Sequence, residues 1–154
     1  MKNNVFDFIS ILFPFIIYSS AIYNSINSDH ILSVSLLSSS FIEKLIKKCT
    51  KNIDVFKRPN GANNCDIFNC NGNVSDLPGF PSGHVATVSV FMHYIWFKYN
   101  DCKCLFFYPY YLIPIYIMSI ARIEKKCHYP NQTFAGYILG AIISFIFKEI
   151  YIVL

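Results

Sequence analysis

An all-α bundle embedded in a membrane is the fold class this sequence predicts, and three observations predict it. Apolar residues make up 54% of the 154 residues, charged residues only 14%, and mean hydropathy is +0.39. That composition is too apolar for an ordinary soluble domain of this size. Five apolar stretches follow one another, most of them near the 20 or so residues that a helix needs to cross a hydrocarbon core. Turn-forming pairs gather in one long polar loop between the second stretch and the third. By length the chain is one domain, 1–154, with its chemistry-bearing core at about 44–140.

The first stretch runs from Val5 to Tyr23, with Asp7 close enough to its start to reach the interface. Ser19-Ser20-Ala21 also fits a signal-peptide cleavage site, but the apolar length and the single preceding basic residue, Lys2, favour an uncleaved span. The second stretch, His30 to Ile46, ends in Glu43-Lys44 and Lys47-Lys48, a helix end at the headgroups, with His30 at the opposite interface. From Cys49 to Phe80 the chain turns polar, and Asn60-Gly61, Asn71-Gly72 and Pro78-Gly79 mark turns.

Val85 to Tyr99 is short for a span and is expected to lie among the others, with His93 in the core and Trp96 and Tyr99 at the far interface. Asp101 to Cys104 is a tight connection. Leu105 to Ala121 forms the fourth helix, which Pro109 and Pro114 should kink. Thr133 to Leu154 forms the fifth, led in by Pro130 at a first-turn position. Gly136 and Gly140 have the small-xxx-small spacing of close helix contact.

A net charge of +4 with no long basic run gives no reason to expect nucleic acid. The six cysteines match neither a compact disulfide framework nor zinc-site spacing. A Cys65–Cys70 or Cys49–Cys127 disulfide is open if that face meets an oxidising compartment; otherwise these are ordinary thiols.

Pro81-Ser82-Gly83-His84 is the stretch around which the rest is organised. Pro81 and Gly83 break any incoming element, and an apolar helix starts at once. Its first N–H groups lack partners, Ser82 is a good N-cap, and the helix dipole makes the place an anion pocket beside His84. Upstream lie Lys51, six residues, and Arg58-Pro59. Downstream lie Arg122, five residues, His128, three residues, and Gln132. Each motif alone is weak, but three in order with these spacings are a strong signal. If helices alternate in direction, all three blocks reach the same end of the bundle.

Together the blocks resemble the signature of the type 2 phosphatidic acid phosphatase superfamily, helical lipid-phosphate phosphatases related to haloperoxidases. Two positions depart from it: Ala121 stands where the family has Ser, and Gln132 where it has Asp. The eukaryotic dolichyl-diphosphatase branch looks similar in its His-x3-Gln, although that branch usually has Ser in place of Gly83. The resemblance implies a metal-independent phosphatase without a cofactor, acting on a lipid phosphate or a polyprenyl or dolichyl diphosphate in the bilayer. It further implies that His128 attacks phosphorus and His84 protonates the departing oxygen. Lys51, Arg58 and Arg122 would hold the phosphate with the backbone N–H groups of Ser82 and Gly83 and the Ser82 hydroxyl. Gln132 would orient His128 through its amide oxygen, without the charge an aspartate brings, or its NH2 end would select the wrong tautomer.

Lys44, Lys47, Lys48, Lys57, Lys125 and Lys126 are expected to be headgroup anchors. They also load the motif end with positive charge, which the positive-inside rule reads as cytosolic. Relatives commonly place this site on the lumenal or outer face, so sidedness stays open, with the endomembrane lumen favoured. The rival to an enzyme is an inactive relative that binds phospholipid headgroups through the same pocket. A multi-spanning scaffold or pore with chance motifs is the remaining alternative.

Overall fold

In the computed structural model, which describes residues 4–66, 72–99 and 108–153, the chain folds into five helices. They are α1 (Asn4–Ile26), α2 (Ile31–Thr50), α3 (Gly83–Tyr99), α4 (Tyr108–Glu124) and α5 (Pro130–Val153). A 3-10 turn at Asp54–Phe56 and two isolated bridges, Lys57 with Pro78 and Asn63 with Asn73, organise the long loop. Each apolar stretch of the sequence lies largely within one helix, and Pro130 opens α5 as expected. Pro109 falls in the first turn of α4 and Pro114 inside it. The tight connection expected at Asp101 to Cys104 lies outside the described residues.

Helix α3 is the central element. It packs against all four other helices, and residues Val85 to Val90 are all buried. A helix apolar on nearly every side has no solvent face, which fits burial within the bundle. Its closest neighbour is α5, and two glycines make the approach possible. A Cβ on Gly140 would meet the Ala86 carbonyl and the Ser89 side chain at 2.6 Å, and one on Gly136 would run into the Ser82 carbonyl. The small-residue stripe thus brings two backbones together, and Ser89 seals the seam by donating to the Tyr137 carbonyl at 2.8 Å.

At the end far from the motifs, Lys98 pairs with Asp29 at 2.6 Å, and the Tyr94 hydroxyl donates to the same carboxylate. His93 is buried, its Nδ1 2.8 Å from the Ser89 carbonyl, as the sequence led us to expect. His30 is exposed at this same end, ahead of α2. At the other end Asp7 meets Lys125 at 2.5 Å, tying α1 to the turn after α4.

Large apolar side chains point outward on several helices: Phe8, Phe15 and Tyr23 on α1, Leu37 on α2, Tyr116 on α4 and Phe145 on α5 are exposed. Two helices, over Val5–Ile26 and Pro130–Glu149, are long and apolar enough to cross a membrane. Helices α3 and α4 have 17 residues each, short of a full crossing.

Candidate active site

The motif blocks meet at one end of the bundle. Pro14 and Tyr18 of α1, the face of α2 from Ser40 to Lys47, the long loop, the start of α3 and His128 just ahead of α5 line a cleft of about 360 Å³. Arg58, Gly83, His84 and His128 line it, with Glu43 and Lys47 of α2 opposite. Ser82, Arg122 and Gln132 are each fully buried. Lys51 is exposed at the C-terminal end of α2 and is not among the residues lining the cleft. Lys47, one helical turn earlier, is there instead with Lys44, so these two are more than the headgroup anchors expected of them. Periodicity explains the shift: residues four apart share a helix face, so Lys47 and Lys51 differ in depth rather than direction.

His128 is held from two sides. Its Nδ1 lies 2.9 Å from the Gly79 carbonyl and 3.3 Å from Gln132 Oε1. Both are acceptors, so Nδ1 carries the hydrogen and Nε2 keeps its lone pair. The Gln132 amide has one satisfactory orientation. Its nitrogen donates to the Lys57 carbonyl at 2.8 Å, and its oxygen accepts from the Tyr129 N–H at 3.2 Å. The wrong-tautomer possibility raised by a glutamine at this position is therefore not what the structure contains. Gln132 also accepts the Ser82 N–H on its backbone carbonyl at 3.0 Å. One residue thus touches all three motif blocks.

Two expectations for the start of α3 need correcting. Ser82 sits where an N-cap belongs, and its carbonyl accepts the Ala86 N–H, but its hydroxyl is buried without a partner and caps nothing. Its N–H is taken by Gln132, so the donors left for a ligand are the hydroxyl and the N–H groups that open the helix from Gly83 onward.

Gly79 is a site residue that the sequence did not single out. A Cβ there would meet Gln132 Oε1 at 2.5 Å and Arg58 Cγ at 2.9 Å, so only glycine lets the carbonyl approach His128. Its one sequence signal was the Pro78-Gly79 turn pair, which names a turn and not its use.

Neither disulfide pairing considered from the sequence forms. Cys65 bonds Cys127, and Cys49 is free and exposed. Both bonded cysteines are buried in a small cluster with Ala62 and Val74, under the loop. The bond joins the Arg58 loop to the residue before His128, and Arg122 donates to the Cys65 carbonyl. Because it closes a 62-residue separation, its loss should cost about 4 kcal/mol on a chain-entropy estimate. The Cys65→Ser, Cys127→Ser double variant is expected to melt at lower temperature in thermal-shift measurements.

The charges of the cup are only partly balanced. Arg58 is 4.0 Å from Asp66, and Glu43 pairs with Lys47. Burial pulls the Arg58 guanidinium below its ordinary range, while the Asp66 and Glu43 carboxylates draw it back up. Burial, then the positive charges of Arg122 and Arg58, push the His128 imidazole well below its ordinary value of 6.5. His128 is thus neutral at neutral pH, the form in which Nε2 is nucleophilic.

Buried side-chain donors without partners concentrate here. Among the described residues, the unpartnered atoms are Nε and Nη1 of Arg58 and of Arg122, the Ser82 hydroxyl, His84 Nε2 and, apart from these, the Ser10 hydroxyl. Buried polar groups are nearly always satisfied, so a cluster of orphaned donors calls for an acceptor from outside the chain. No curated protein and no solved structure matches this chain. Residues 30–152 match the PAP2 superfamily, a span that takes in every helix after the first and all three motif blocks, and the chain belongs to that superfamily.

Proposed function

We propose that this protein is a membrane phosphatase that cleaves the phosphate or diphosphate group of a lipid through a phosphohistidine on His128. The observation that carries the reading is the set of orphaned donors on Arg58, Arg122, Ser82 and His84, gathered around a neutral, oriented His128. A phosphate monoester has about two negative charges and several acceptor oxygens, the complement of that set. Arginine suits it especially, since its planar fork matches phosphoryl oxygens two at a time.

The reaction runs in two displacements. His128 Nε2 forms a bond to phosphorus as the bond from phosphorus to the leaving oxygen breaks. His84, which takes up a proton as the phosphate dianion binds beside it, gives that proton to the departing oxygen. Water, deprotonated by the now neutral His84, then attacks the phosphohistidine, the P–N bond breaks, and inorganic phosphate leaves. Arg58, Arg122 and the opening N–H groups of α3 stabilise the charge on the transferring group, which usually does more than any other single effect to lower the barrier to phosphoryl transfer. Lys44 and Lys47 supply the lysine charges that line the cleft, and Lys51 is exposed outside that lining. The family's reaction in general uses no metal.

The outward apolar side chains and the two long helices support a bilayer setting, with all five helices embedded and a lipid chain entering beside the cleft. The Cys65–Cys127 bond supports placing the motif end in an oxidising compartment, against the charge bias of the same end. Asn73 in Asn73-Val74-Ser75 is exposed on this side and serves as a reporter. A glycan on it after membrane-coupled translation is expected, and a chain left unmodified while a lumenal control is modified would reverse the orientation. The activity itself is tested by phosphate release from phosphatidic acid, dolichyl diphosphate and undecaprenyl diphosphate in detergent micelles. Release from one of them is expected; the dolichyl substrate is the one favoured by the His-x3-Gln pattern. No release from any would remove the reading.

A further inference from the structure

Glu43 is a carboxylate inside a cup built for an anion, and the reaction above gives it nothing to do. Its carboxyl group lies on the Gly83 α-carbon: a Cβ built on Gly83 would have all three carboxyl atoms within 2.8–2.9 Å. Its side chain is 14% exposed, it pairs with Lys47, and its charge reaches Arg58. It shares the cleft with both histidines. The head of α3 is where phosphoryl oxygens would be received, and the hydroxyl of Ser82 and Nε2 of His84 lie unpartnered beside it.

Resting on the phosphatase reading, we propose that Glu43 is a built-in competing anion whose carboxylate takes the anion position over Gly83 and must be displaced by the entering phosphate. A carboxylate and a phosphate dianion cannot share one cup without a strong mutual repulsion. The lipid substrate overcomes it, because its hydrocarbon chain contributes binding free energy that does not depend on the cup. Free inorganic phosphate has no such chain. Glu43 therefore weakens retention of the free phosphate product, while the hydrocarbon chain keeps the lipid substrate bound in spite of the same repulsion. It also gives Gly83 a reason to be glycine, since any side chain there would collide with the carboxyl group.

The test uses the purified full chain in detergent, with inorganic phosphate and orthovanadate as competing anions. Glu43→Gln is expected to bind both about tenfold more tightly, a modest share of what one unit charge contributes at contact distance in a half-buried cleft. Glu43→Gln combined with Lys47→Met tells the cause apart. Tightening relative to Lys47→Met alone places the effect at Gly83, while its loss means that Glu43 acts only by restraining Lys47 and overturns the proposal. Should Glu43→Gln fail to fold, a second measurement uses the truncation Glu43→Ala, which buries no amide against Gly83. Gly83→Ala should weaken vanadate binding in the native background and do so less in Glu43→Ala, and equal losses in the two would overturn the coupling. If the native protein binds neither anion, the phosphatase reading falls as well. If it binds them and Glu43→Gln binds no tighter, this inference falls alone.

Discussion

Replacing His128 by Asn should abolish labelling of the protein by a radioactive lipid phosphate and lower turnover by about 10⁴-fold or more. The magnitude follows from the role: removing a nucleophile removes the covalent route, and what remains is stabilisation of charge by the arginines. Acid quench and gel autoradiography on the native protein and His128→Asn measure it. The relative that only binds headgroups predicts the opposite, a variant no different from native in either readout. A pH signature accompanies the substitution. The folded His128 lies well below 6.5, pushed there by burial and then by Arg122 and Arg58. Above about pH 7.5 neither folded nor unfolded His128 is appreciably protonated, so it contributes no pH dependence. As pH falls below that value the unfolded chain takes up the proton first, and stability is lost. The difference in melting temperature between native and His128→Asn should therefore change as pH falls below about 7.5 and be flat above it.

Gln132→Asp, which installs the residue the family signature has, should harm this protein rather than improve it. The amide nitrogen donates to the Lys57 carbonyl, and the oxygen serves Tyr129 and His128. An aspartate is one methylene shorter and has no donor. It would leave the Lys57 carbonyl unpaired and place a fully buried carboxylate beside carbonyl oxygens, a cost of about 2–4 kcal/mol. Arg58 directly follows Lys57, so loss of that bond reaches the proposed phosphate site. We expect a lower melting temperature and a kcat reduced about 10- to 100-fold, with 1.4 kcal/mol for each factor of ten. An unchanged or raised kcat would mean that the Gly79 carbonyl and Gln132 do not share the work of holding His128.

That result separates two kinds of information. The helices were legible because each rests on local properties: apolar length, proline and glycine punctuation, and a small-residue stripe on α5. Convergence at one end of the bundle was legible too, since alternating helices must bring the blocks at their ends together. The pairing of Gly83 with Glu43 was not, because a carboxylate in a run of lysines reads as solvated charge until α2 is packed across α3. Lys51 was selected by spacing along the chain, whereas depth in a cleft depends on where a helix stops.

By itself, the sequence determined an all-helical chain of low charge, the order of its five helices, and that the blocks bearing His84, Arg58, Arg122 and His128 reach one end of the bundle. Only the tertiary structure decided that Gly79 holds His128, that Cys65 pairs with Cys127, and that Lys47 rather than Lys51 lines the cleft. The physical reason is that backbone carbonyls carry no residue-specific signal, and contacts across 49 to 62 positions depend on how the loop folds over the bundle.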